Sequence, residues 1–119
     1  MDATQVLALL RDNRLFDETD EGVLLRACVR ALGEVREKLR DGVDEGDLRI
    51  ASAAAALARF RLFCTMLERG ERFSGFKAGD MTVSRDLKGE FAAERALRDE
   101  ALVDAAPILR DGGFFFAAQ

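Results

Sequence analysis

Apolar residues recur three and four positions apart over most of the chain, in four stretches separated by polar segments that contain glycine. That spacing is the helical one. In residues 2–12, DATQVLALLRD, Val6, Leu7, Leu9 and Leu10 supply an apolar face and Asp2 is placed to cap it. The acids of NRLFDETDEG follow. Asp17, Glu18, Asp20 and Glu21 stand where they oppose the positive end of a second helix, and Phe16 is placed to fold back onto its first turn. The second helix is expected over 18–40, with Leu24, Cys28, Ala31, Leu32, Val35 and Leu39 in one stripe. Glu34 and Lys38 make an i,i+4 pair, Arg36, Lys38 and Arg40 suit the C-terminal end, and Gly42 is a good residue to stop the helix.

After the acidic turn DGVDEGD, either Asp44 or Asp47 can cap a third helix over 47–69. This helix is apolar nearly all round. Its main stripe is Ile50, Ala53, Ala54, Leu57, Phe60, Cys64 and Leu67, with Phe63 and Met66 outside it. A helix apolar on more than one face is usually the central one, and the run ASAAAALA lets a neighbouring backbone come close. Arg59 and Arg61 interrupt its apolar surface. They either snorkel at the edge of the core or pair with acids on a neighbour.

A fourth helix is expected over 86–106, started by Ser84 or Asp86, with Glu94–Arg98 and Arg95–Asp99 as surface ion pairs. Its apolar pattern is less regular, which implies more exposure on one side. Pro107 ends or kinks it, and PILRD can add one further turn.

Composition narrows the class. The chain has 119 residues, 49% hydrophobic and 34% charged, which fits a single globular domain over 1–119. The net charge of −4 argues against autonomous, sequence-specific nucleic-acid binding, which relies on Lys and Arg neutralising phosphates. No apolar run of about 18 residues marks a membrane span and no signal peptide is evident, so a cytoplasmic location is expected.

Candidate chemistry is sparse. With no histidine in the chain, His-based triads, metal sites and general bases are excluded. No phosphate-binding glycine motif is present, and DETDE at 17–21 lacks the calcium-loop pattern. Cys28 and Cys64 lie in apolar helical patterns without CxxC spacing; buried free thiols are favoured over a disulfide or metal pair. The remaining acids cluster at helix starts and turns. The expectation is a protein that is not an enzyme and takes no cofactor, metal or small-molecule substrate.

Two features point to binding instead. The segment RFSGFKAGDMTVSRD separates the third and fourth helices. In it Phe73, Phe76, Met81 and Val83 alternate imperfectly with Arg72, Lys77, Thr82 and Ser84. Thr82 and Val83 are β-prone, and an isolated strand would leave its backbone groups unpaired. Residues 71–85 therefore form a solvated loop, a small hairpin, or a strand that pairs with another chain. Interhelical connections usually take ~2–8 residues, so this one is long. The second feature is the tail 111–119, with GGFFFAAQ at its end: Phe114, Phe115 and Phe116 cannot all enter one core from one strand or helix. They either staple the tail to the domain or reach a neighbouring subunit.

This order of elements resembles the head–tail connector (adaptor) proteins of long-tailed bacteriophages and prophages. The likeness is an acidic helical domain, an alanine-rich buried helix, then SGFKAGDMTVS, then an amphipathic helix. It is most specific from Gly75 to Ser84, in KAGDMTVS. The four helical stretches make an all-α, small four-helix bundle the simplest architecture, and the resemblance implies one extended loop or β-hairpin before its last long helix. It further implies a homo-oligomeric ring between portal and tail, in contact with the portal and with neighbouring connector or tail proteins. The location is then the host cytoplasm and afterwards the assembled virion. Arg72, Phe73, Phe76, Lys77, Met81, Val83 and Arg85 become subunit contacts, with the basic residues facing acids such as those at 17–21. The competing reading is a small cytoplasmic helical adaptor or regulator that binds one protein partner through the same loop or the phenylalanine tail.

Overall fold

Asp2, Asp20 and Asp47 set the starts of three helices, each by offering a carboxylate to an orphan backbone N–H. The computed structural model describes residues 2–11, 16, 19–68 and 87–110. Helix α1 spans Ala3–Leu10. Asp2 Oδ1 accepts from Gln5 N at 3.1 Å and Gln5 Oε1 accepts from Asp2 N at 2.9 Å, a reciprocal capping box. Helix α2 spans Glu21–Glu37, and Asp20 Oδ1 accepts from Gly22 N at 2.6 Å. Phe16, expected before this cap, is buried.

Helix α3 spans Leu48–Glu68. Of its two candidate caps, Asp47 takes the role: its Oδ1 accepts from Arg49 N at 2.9 Å. Asp44 closes the preceding turn by accepting from Gly46 N at 2.9 Å. Helix α4 spans Leu87–Ala105 and tightens into the 3₁₀ turn Ala106–Ile108, which holds Pro107. Proline lacks the N–H that a further α turn would need.

The end of α2 departs from expectation. The helix stops at Glu37, and Gly42 lies beyond it in the turn, where its φ of +83° suits glycine. The cause is a non-local contact. Leu39 forms an antiparallel bridge with Leu109. Arg40 N donates to Ile108 O at 2.9 Å and Arg110 N donates to Lys38 O at 2.6 Å. The Arg110 guanidinium also donates to the Glu37 carbonyl, one of the groups a helix end leaves unpaired. Leu109 is fully buried, so the bridge seals one end of the core.

All other helices pack on α3. Ile50, Leu57 and Phe63 are buried along it, and so are Ala51, Ala53, Ala54, Ala55 and Ala58. Alanines keep the bulk of α3 small, so that three partners can approach it. Each fully buried Leu or Ile contributes about 1.5–3 kcal/mol. Val6 and Leu10 of α1, Leu24, Cys28, Leu32 and Val35 of α2, and Leu102 of α4 complete one core. Among the described residues the result is a mostly helical, compact globule of four helices. Among the described residues no strand forms beyond the single bridge. The expected arm at 71–85 and the tail 111–119 lie outside the described residues.

Candidate functional site

Arg72, Phe73, Phe76, Lys77, Met81, Val83 and Arg85, the contact residues expected from sequence, lie outside the described residues, as do Phe114, Phe115 and Phe116 and the acids Asp17 and Glu18. What the structure does show is how the helices on either side of the segment are fixed, and which of their faces are left open.

Two arginines on α3 reach to different neighbours. Arg59 donates to Glu94 of α4 through Nε to Oε1 at 2.6 Å and Nη2 to Oε2 at 2.7 Å. Arg61 makes the corresponding two-bond pair with Glu34 of α2, with Nη2 to Oε1 at 3.1 Å. The fork of a guanidinium matches a carboxylate in this geometry. Of the two sequence readings for these arginines, pairing with a neighbour's acid is the one observed. Glu34 and Glu94 had looked like partners for residues on their own helices.

Next to Arg59, Phe60 stacks at a tilt on Phe91 of α4, with ring centroids 5.6 Å apart. The Arg98 guanidinium lies 4.4 Å from the Phe60 ring centre. Arg98 is 5% exposed and bonds Asp99, with Nε to Oδ1 at 3.0 Å. It had looked like a surface residue. Its charge is held by a carboxylate and an aromatic face, both of which offset desolvation. Asp99 bonds Arg98 and not Arg95, its expected partner.

Chemical groups are few. Cys28 and Cys64 are free thiols. Cys28 is fully buried, and burial pushes its pKa up to about 11. A thiol in that state stays protonated and is a poor nucleophile near neutral pH. Among the described residues no group of three or more His, Cys, Asp or Glu is arranged to hold a metal ion. No described helix is long and apolar enough to cross a membrane.

The open surfaces are more informative. On α2, Leu25 and Val29 are exposed one turn apart, with Val29 at 55%. Arg26 and Arg30 lie beside them, and an open hollow of about 580 Å³ is lined, among the described residues, by Leu25, Arg26, Ala27, Val29 and Arg30. Gly33 continues the line one turn on, and a Cβ placed there would meet nothing within 4 Å among the described residues. On α4, Leu97 is 49% and Val103 69% exposed. Ala92, Ala93 and Ala96 are exposed on the same side, next to Glu100 and Asp104.

The uneven pattern of α4 had indicated one exposed side, and that side is now located. The α2 face was missed. Its signal was present as an apolar i,i+4 pair, Leu25 and Val29, outside the core stripe of Leu24 and Cys28. No protein-family profile matches the chain, and neither a curated protein nor a solved structure matches it.

Proposed function

We propose that this chain is a non-enzymatic structural subunit of a phage or prophage particle, a connector that forms a homo-oligomeric ring at the head–tail junction. The observation that carries the reading is the connection between α3 and α4. Residues 69–86 separate two helices that are fixed to each other by Arg59–Glu94 and Phe60–Phe91. Such connections usually take ~2–8 residues. A long segment that carries Phe73, Phe76, Met81 and Val83, set on a fixed helical base, suits an arm that finds its partners on another subunit.

In this reading the globule is the body of the ring subunit and residues 71–85 are its extended arm. Phe73, Phe76, Met81 and Val83 bury apolar surface on the neighbour, and Arg72, Lys77 and Arg85 face its acids. The tail with Phe114, Phe115 and Phe116 adds a second contact. The partners are further copies, the portal and the adjacent connector or tail protein. A net charge of −4 suits a channel wall that repels phosphates and so does not grip passing DNA. The subunit is made in the host cytoplasm and ends in the virion.

Negative-stain images of the purified protein at high concentration test this. Closed rings are expected. Compact particles of a single chain, or a one-to-one complex with one unrelated partner, would instead support a small helical adaptor.

A further inference from the structure

We propose that the exposed faces of α2 and α4 are the two halves of one head-to-tail contact between copies of this chain. The inference rests on the ring reading above and gives its body a specific interface. The α2 face combines Leu25 and Val29 with Arg26 and Arg30, and neither arginine makes an ion pair among the described residues. The α4 face combines Leu97 and Val103 with Glu100 and Asp104, which are likewise unpaired among the described residues. One face is apolar and basic, the other apolar and acidic.

The spacings agree. Along α2, Arg26, Arg30 and Gly33 are separated by four and three positions. Along α4 in reverse, Asp104, Glu100 and Leu97 are separated by four and three as well. Two helices crossing antiparallel therefore set Arg26 against Asp104, Arg30 against Glu100, and Leu97 against the bare backbone of Gly33. The glycine has its own weight in this argument. A helix-interior Gly costs roughly 0.5–1 kcal/mol relative to Ala, and nothing among the described residues crowds this position. A close approach by another chain accounts for it.

The placement of the faces decides the symmetry. α2 and α4 each pack on α3 and make at most marginal contact with each other. The two faces thus belong to different sides of the subunit, and joining them leaves one of each free at the ends of a dimer. That is a heterologous contact, which closes into a ring or continues as a filament. Two-fold pairing of the α4 faces is disfavoured, since α4 on α4 would oppose four acids. Arg95 is exposed two positions from Leu97, a spacing that does not share a helix face, and so stands off the line of Leu97, Glu100 and Asp104.

A charge exchange tests the assignment by light scattering. One variant carries Arg26→Glu and Arg30→Glu, the other Glu100→Arg and Asp104→Arg. All four residues are exposed, so helicity by circular dichroism should match the parent chain. Each variant alone is expected to be monomeric, whereas the equimolar mixture and the chain carrying all four changes recover the parent mass. Gly33→Leu, which fills open space in the monomer, is expected to raise the dissociation constant at least about tenfold. If the parent assembles and both charge variants keep its mass, this interface is wrong while the ring reading stands. Loss of assembly with no rescue in the mixture also overturns the pairing. A parent chain that stays monomeric at millimolar concentration overturns both proposals.

Discussion

Arg59 and Glu94 join α3 to α4 through two parallel hydrogen bonds of 2.6 and 2.7 Å, with side chains only 22% and 11% exposed. Arg61, two positions on, makes the same kind of pair with Glu34 of α2, at 33% and 38% exposure. The central helix is thus tied on two sides by one chemical device at two depths. Breaking a buried pair typically costs about 3–5 kcal/mol, and an exposed one about 0–1 kcal/mol. Arg59→Ala or Glu94→Ala is expected to cost about 2 kcal/mol, and Arg61→Ala about 1 kcal/mol or less. Urea denaturation of the single variants and of the Arg59/Glu94 double variant measures both, and equal costs for the two pairs would contradict the depth argument.

Gly33 and Gly42 should respond to alanine with opposite signs. Gly33 is inside α2 with open space around its Cα, so Gly33→Ala is expected to stabilise the monomer by roughly 0.5–1 kcal/mol. Gly42 has a φ of +83°, and alanine there costs about 1–2 kcal/mol. Thermal melts at a concentration where the chain is monomeric show the two shifts.

Asp47 carries a pH dependence. Hydrogen bonds from the Arg49 side chain and backbone hold its carboxyl at about 2, against an ordinary value of 3.8. A folded-state value below the unfolded one contributes stability above the unfolded value, and that contribution is lost as pH falls from about 4 towards 2. Asp47→Ala is expected to melt lower at neutral pH, through loss of the cap of α3, and to show a flatter melting profile between pH 4 and 2.

Cys28 acts at the other end of the scale. Burial lifts its thiol from 9.0 to about 11. The folded state holds the proton longer, so this contribution is whole below about pH 9 and is lost as pH rises towards 11. A thiol reagent at pH 8 is expected to label the half-buried Cys64 quickly and Cys28 only on unfolding. Fast labelling of both would contradict the burial.

Much of this fold was legible because it is local. Asp2 marks the cap of the first helix, and a helix apolar nearly all round, from Ile50 to Leu67, announces the hub. What could not be read depends on residues far apart in sequence. Leu39 and Leu109 form a bridge between segments far apart in sequence, and that bridge, rather than Gly42, decides where α2 stops. The partners of Arg59 and Arg61 could be narrowed only to acids on a neighbour. Arg98 had looked exposed because its i,i+4 acid was obvious and its seat over Phe60 was not. The exposed face of α4 was implied by its broken apolar pattern; the α2 face was hidden by its proximity to the core stripe.

The arm is the most direct test of the proposed function. The measurement is the mass in solution, by light scattering at high concentration, of the parent chain and of a chain lacking residues 73–83 joined by a short flexible linker. A ring held by the arm predicts a closed oligomer for the parent and a collapse towards single chains for the deletion, with helicity retained in both. An oligomer of unchanged mass after the deletion would contradict the arm's role in assembly.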